Sequence, residues 1–112
     1  MTNKKQKMQD ITVQQLKSMM DAKEDFQLID VREEYEHDIC EIGGELIPMG
    51  EVADNVDKIS KDRKVVVHCR SGKRSASIIQ MLEQAHGYKN LYNLKGGILA
   101  WADEIDTSLS KY

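Results

Sequence analysis

Lys64-Val65-Val66-Val67-His68-Cys69-Arg70-Ser71-Gly72-Lys73-Arg74-Ser75-Ala76-Ser77-Ile78-Ile79-Gln80-Met81 contains three patterns in a row. Val65, Val66 and Val67 form a short, β-branched run without alternation. Such a run suits a strand covered on both faces, as in a parallel sheet. A polar loop follows, Cys69 to Arg74. From about Ser75 the period changes, and Ala76, Ile79, Met81 and Leu82 recur at helical spacing with Ile78 beside them. The order is strand, tight loop, helix, with a cysteine where the strand ends.

That position gives Cys69 two readings. The first turn of a helix has unpaired backbone N–H groups and a dipole that favours negative charge. A loop folded over it can aim further amides at one point. Gly72 supplies a backbone freedom closed to other residues. Arg70, Lys73 and Arg74 add three cations close in sequence. A thiol facing such a site ionises more easily than a free cysteine, with its pKa of about 8.5, and the thiolate is the nucleophile. The other reading makes Cys69 a small buried hydrophobe at a strand end. The glycine and the cations favour the reactive reading, because an inert core position has no use for them.

Composition narrows the class. The chain has 112 residues, enough for one domain and too few for two. An apolar fraction of 40% fits a globular fold. A net charge of -3 argues against general nucleic-acid binding, so the cations near Cys69 are a local feature suited to steering a small anion. No apolar run reaches membrane-spanning length, and Met1 to Gln9 reads as a frayed polar tail, not a secretory signal. Two cysteines are too few for a disulfide scaffold, and no His, Cys or carboxylate cluster has zinc-ligand spacing. No metal, cofactor, nucleic acid or membrane is expected. A reducing, cytoplasmic setting is expected, where a free thiol survives.

Along the chain, strands alternate with helical segments, which predicts an α/β fold with a mainly parallel sheet flanked by helices over residues 10–105. Thr12 and Gln15 form a capping box, with Ile11 placed to pack on Leu16, and Leu16, Met19 and Met20 mark the buried face of the first helix. Phe26 to Val31 reads as a strand. Glu33 to Asp38 reads as one or two helical turns with Tyr35 packing inward. Ile39 to Pro48 is a turn and a short strand. Gly50 to Lys61 is predicted as a helix with Val52, Val56 and Ile59 on one face. The helix after Cys69 runs through Ala85 and ends at Gly87. Asn90 to Leu94 is a strand, Lys95-Gly96-Gly97 a turn, and Ile98 to Ile105 a last helix. Residues 106–112 read as a tail.

Three further positions bear on chemistry. Asp30 falls at a strand end, where α/β folds place their sites. It suits a structural carboxylate that accepts loop amides or ties down an arginine, more than a direct catalytic role. Cys40 lies in a turn and reads as a semi-buried small residue, with a resolving thiol as the rival. His68 is a poor dyad partner for Cys69, since neighbours on a strand face opposite ways. His37 and His86 read as exposed.

Cys69 to Arg74 resembles the active-site loop of the rhodanese superfamily. Leu28 to Glu33 resembles that family's first strand-end motif, and Asn93 to Trp101 its closing turn and helix. Ile39 to Pro48 resembles its His-Ile-Pro-Gly-Ala segment more loosely, with Glu41 where histidine is usual and Gly43 where proline is. The resemblance spans about Asp10 to Trp101. It is nearest to the rhodanese-like domain at the C-terminus of E1-like adenylating enzymes of molybdopterin and thiamine synthesis, whose end Tyr92 to Tyr112 resembles.

The resemblance implies a sulfurtransferase. Cys69 would take the outer sulfur of thiosulfate or of another persulfide and pass it to a thiol, cyanide or a carrier protein. A cysteine desulfurase or sulfur-carrier protein would be a fitting partner. The amides of Ser71 to Ser75 would stabilise the persulfide. Arg70, Lys73 and Arg74 would bind the anionic donor. Asp30 and Arg32 would hold the scaffold, with Arg32 also a candidate to line the approach. Two alternatives stand beside it. A non-catalytic binding or regulatory module would have no need of the thiol and its cations. A cysteine-dependent phosphatase or arsenate reductase needs the arginine six positions after the nucleophile, whereas Ser75 stands there and Arg74 is five after Cys69.

Overall fold

The computed structural model describes residues 8–112. In chain order they form β1 (Asp10–Ile11), α1 (Val13–Asp21), β2 (Phe26–Asp30), α2 (Glu34–Ile39), β3 (Glu45–Leu46), two 3-10 turns (Met49–Asp54 and Val56–Lys58), β4 (Lys64–His68), α3 (Lys73–His86), β5 (Leu91–Leu94) and α4 (Gly97–Glu104). The strands make one sheet in the order β1-β5-β4-β2-β3, and every pairing is parallel. The expected class is therefore observed, and the sheet is parallel throughout.

β4 lies at the centre because its valines are covered on both sides. Val65 and Val67 pack with Ile78, Ile79 and Leu82 of α3 on one face. Val66 packs with Leu16 of α1 and with Ile98 and Trp101 of α4 on the other. The period-two geometry of a strand sends neighbours to opposite faces, so only an unbroken apolar run can serve both layers. β2 and β5 flank β4, and Val67 stands level with Ile29 and with Asn93. The carboxyl ends of β2, β4 and β5 thus emerge side by side, the edge where open α/β sheets carry their sites.

α1 starts at the expected capping box. The Gln15 amide donates to Thr12 Oγ1 at 3.0 Å, and the Thr12 amide donates to Gln15 Oε1 at 2.8 Å. Elsewhere the structure corrects the sequence reading. Gly50 to Lys61 is not an α-helix but two 3-10 turns separated by Asn55. Asn55 Nδ2 takes the Glu51 carbonyl at 2.7 Å, and the Tyr88 hydroxyl donates to the Val56 and Ile59 carbonyls. These side-chain donors compete with backbone amides for the carbonyls of the segment, which favours short 3-10 turns over a continuous α-helix. Val52 and Ile59 are still buried.

Tyr35 does not pack inward; it is 66% exposed, and Glu36 is the α2 residue that turns into the protein. A polar anchor, not an apolar stripe, orients this six-residue helix. β1 had no clear signal. Residues 1–7 lie outside the described residues, but the Gln9 carbonyl accepts from the Asn93 amide at 2.8 Å and Gln9 Nε2 donates to the Leu91 carbonyl at 3.0 Å. Among the described residues, no helix is long and apolar enough to cross a membrane.

Candidate active site

Cys69 follows β4 directly, and Ser71, Gly72 and Ser75 after it decide what its sulfur meets. Gly72 has φ +105°, a left-handed conformation that turns its amide back to donate to Cys69 Sγ at 3.1 Å. α3 begins at the next residue. Its first turn brings Ser75 over the sulfur, with Oγ 3.5 Å from Sγ. Asn93, at the end of β5, clamps both pieces. Its Oδ1 accepts from Ser75 Oγ at 2.6 Å, and its Nδ2 donates to the Gly72 carbonyl at 3.3 Å.

α4 holds the loop from behind. The Ile98 amide donates to the Cys69 carbonyl at 3.0 Å and the Leu99 amide to the Arg70 carbonyl at 3.1 Å. This contact requires glycine at position 97. Its φ is +61°, and a Cβ there would stand 2.4 Å from the Arg70 carbonyl oxygen.

Cys69 is 1% exposed, and burial pushes its thiol up. The Ser75 hydroxyl and the amides of Ser75, Gly72 and Ser71 outweigh that penalty, so the thiol sits below its ordinary 9.0. The donors are not equal. A hydroxyl has one proton, and Ser75 Oγ is far nearer Asn93 than the sulfur, so in the resting state that proton goes to Asn93. The backbone amides are the fixed donors, and the hydroxyl is a reserve that can turn once the sulfur is charged.

The three loop cations have different fates. Arg74 makes a two-pronged pair with Glu36, Nη1 to Oε1 at 2.7 Å and Nη2 to Oε2 at 2.8 Å. This pair holds the Glu36 carboxyl at about 2, against the opposing effect of burial. The Arg74 fork is occupied, and Arg74 acts on Cys69 through its field, not by grasping an oxyanion. Among the described residues neither Arg70 nor Lys73 forms an ion pair, and both are exposed. The Arg70 guanidinium lies 4.9 Å from the centre of the Tyr112 ring.

Beneath the loop lies a buried polar knot. Asp30 Oδ1 accepts from the Arg32 amide at 3.0 Å and from Arg32 Nε at 2.9 Å, and Oδ2 accepts from Nη2 at 2.7 Å. Burial raises the Asp30 carboxyl, but Arg32, the charge of His68 and the bond to His37 bring it to about 2. Arg32 also donates to the carbonyls of Cys40 at 2.7 Å and Glu36 at 3.2 Å, which ties the end of β2 to the end of α2. Arg32 is fully buried, so it does not line an approach. His37 Nδ1 lies 3.0 Å from Asp30 Oδ2 and is half-buried, not exposed. His68 is buried on the side away from the sulfur with Nε2 unpartnered, and burial holds its pKa below 6.5. His86 is exposed. Cys40 and Cys69 are both free thiols. Among the described residues no group of three or more His, Cys, Asp or Glu side chains could hold a metal ion.

This arrangement, a cysteine closing a central parallel strand and turned under the amides of the next helix, can be set against known proteins. Residues 12–104 match the model of the rhodanese-like domain. The chain belongs to the rhodanese-like family. It is 34% identical over 105 residues to the probable adenylyltransferase/sulfurtransferase MoeZ of Mycobacterium tuberculosis, a match covering 91% of this chain and 26% of that protein. The chain thus corresponds to about a quarter of that relative. It is also 34% identical over 101 residues to the putative sulfurtransferase YtwF of Bacillus subtilis, covering 85% of this chain and 91% of the other. Among solved structures, a rhodanese-like domain protein from Staphylococcus aureus superposes with a TM-score of 0.79 at 32% identity, covering 88% of this chain and 95% of that one.

Three residues of this rhodanese-like site escape a reading of the sequence. Glu36 looks like one of several solvated carboxylates in an acidic segment, and its partner Arg74 is 38 positions away. Asn93 carries a signal only in register: a polar side chain on a buried strand, level with the residue two before Cys69. Tyr112 sits in a segment with neither helical nor strand period. It folds back so that its hydroxyl accepts from Arg32 Nη1 at 2.9 Å and donates to Glu36 Oε2 at 2.9 Å.

Proposed function

We propose that the protein is a sulfurtransferase that carries a single sulfane sulfur as a persulfide on Cys69. The observation that carries this reading is the sulfur's setting: buried, yet with its pKa drawn below the ordinary value by hydrogen-bond donors of the loop. The Cys69 thiolate attacks the outer sulfur of thiosulfate, the S–S bond to the sulfonate breaks with its electron pair, and sulfite leaves. Cys69 then bears a persulfide anion. A thiol, cyanide or a carrier protein takes the outer sulfur and returns the thiolate. A persulfide on a small molecule or another protein serves as donor in the same way, with a thiolate leaving instead of sulfite.

Each part of the loop has a role in that cycle. The amides of Ser71, Gly72 and Ser75 stabilise the sulfur anion before and after transfer, an electrostatic contribution that needs no reorganisation. Arg70 and Lys73 meet the anionic donor. Arg74, held by Glu36, fixes the start of α3 and lends its field to the sulfur. Asp30 and Arg32 hold the neighbouring strand end in place. The relatives named for sulfur transfer support the same class of reaction. The commitment of the Arg74 fork to Glu36 disfavours phosphoryl chemistry, which needs that fork on the oxyanion.

The test is intact mass after exposure to thiosulfate, and separately to a persulfide-loaded cysteine desulfurase. The expected result is a gain of one sulfur atom on the peptide containing Cys69, lost again on adding cyanide and absent from Cys69→Ser. No gain with either donor overturns the proposal.

A further inference from the structure

Tyr112 touches the charge system around the loop from outside it, at Arg32, Glu36 and Arg70. Its hydroxyl is doubly engaged, accepting from Arg32 and donating to the same Glu36 oxygen that Arg74 Nη2 uses at 2.8 Å. Arg70 Cζ lies over its ring at 4.9 Å from the centroid, and Arg32 Cζ at 5.7 Å. A tail residue that merely filled an apolar notch would have no cause to meet three arginine and glutamate side chains at once. Arg70 is exposed and forms no ion pair among the described residues, so the ring is the restraint the structure provides for it. A guanidinium on an aromatic face keeps its charge and its outward N–H donors, because stacking uses the plane and leaves the edge free.

We propose that Tyr112 is a positioning residue for anionic sulfur donors. Its ring holds the guanidinium of Arg70, the residue next to Cys69 in the chain, with its outward donors free, while the Arg74 fork stays on Glu36. The site then meets an incoming anion with Arg70 and not with Arg74. This rests on the reading of Cys69 as the attacking thiolate and of the donor as an anion.

Alkylation of Cys69 tests it without requiring any sulfur transfer. Iodoacetate and iodoacetamide differ in charge and little in size, so the ratio of their rates reports how the loop's cations are held. In Tyr112→Leu, which keeps an apolar side chain and loses the aromatic face, iodoacetate should slow by about two- to five-fold while iodoacetamide is unchanged. The KM for thiosulfate should rise by a similar factor at unchanged kcat. Tyr112→Phe should retain the wild-type ratio. Arg70→Lys keeps the charge and loses the stacking plane, and should show the same fall with Tyr112 intact; combining it with Tyr112→Leu should add nothing.

Acceleration by both reagents in Tyr112→Leu would make the tail a mere cover and overturn the proposal. So would an unchanged ratio in both Tyr112→Leu and Arg70→Lys, or Tyr112→Phe behaving like Tyr112→Leu. If the sulfur-transfer reading fails but the ratio falls as stated, the positioning of Arg70 stands and only the identity of the anion is lost.

Discussion

Cys69 and Cys40 are both buried, at 1% and 7% exposure, and each directly follows a regular element, β4 and α2. Their surroundings differ in kind. Cys69 lies at the amide end of α3, with the Gly72 N–H at 3.1 Å and the first turn above it. Cys40 caps the carbonyl end of α2, its amide donating to the Glu36 carbonyl and its own carbonyl accepting from Arg32. The cation nearest its sulfur, Arg32 Nη1 at 3.9 Å, already serves Glu36 and Tyr112. Burial alone therefore does not distinguish a reactive thiol from a packing thiol. The direction of the adjacent helix and the number of uncommitted donors do.

If donors decide, then moving the donors should matter more than anything done at Cys40. Gly97→Ala should have the largest effect. The added carbon would stand 2.4 Å from a backbone oxygen of the loop, at a backbone angle that alanine adopts only with strain. We expect a loss of about 2–5 kcal/mol of stability from strain and overpacking together. Whatever folds should lose sulfur uptake by on the order of a hundred-fold, since displacing reacting groups by about 1 Å has that effect. Denaturant melts and single-turnover sulfur uptake check both. A variant with normal uptake would show that the contact between α4 and the loop does not set the donor geometry.

Ser75→Ala is a finer probe, because it removes one donor and leaves the amides. The hydroxyl lowers the thiol's pKa, so its loss should move the midpoint of the alkylation rate against pH upward. The sign fixes the consequence. With a higher pKa the thiolate fraction near neutrality falls, and the rate there falls with it, while the plateau at high pH is retained. A midpoint that does not move would assign the whole effect to the backbone amides. Asn93, freed of its 2.6 Å bond, would then be the reason Ser75 is present.

The comparison also shows what a sequence can and cannot disclose here. The strand, loop and helix around Cys69 were legible because each announces itself locally, by a valine triplet, a glycine and a change of period. The α/β class and the capping box of α1 followed in the same way. The Gly50 to Lys61 segment misled because its apolar spacing suits a helix while Asn55 and Tyr88 compete for its carbonyls, and Tyr88 is far away in the chain. Tyr35 misled because an aromatic in a short helix is ordinarily its anchor, and here Glu36 takes that part by pairing with Arg74. Of the candidate site, residues 69–75 were visible as one block. The partners that commit or free their charges, Glu36, Asn93 and Tyr112, come from three other segments and carry no local pattern.

Cys40→Ser should have the smallest effect and is the sharpest check on the comparison. The sulfur of Cys40 packs with Leu16, Ile42 and Trp101, so exchanging it for a hydroxyl places a polar atom in an apolar cluster. Arg32 Nη1 is close enough to accept a modest rearrangement, and the expected cost is about 1 kcal/mol. Sulfur uptake should be unchanged, since no donor to Cys69 passes through Cys40. The measurement is the mass gain from thiosulfate under single-turnover conditions, together with the rate of its release to a thiol. Loss of release with normal uptake would identify Cys40 as a resolving thiol, which requires the two sulfurs to come into bonding reach during turnover. That outcome would undo the contrast drawn between the two ends of α2 and α3, because the thiol at the carbonyl end would then share the chemistry of the one under the amides.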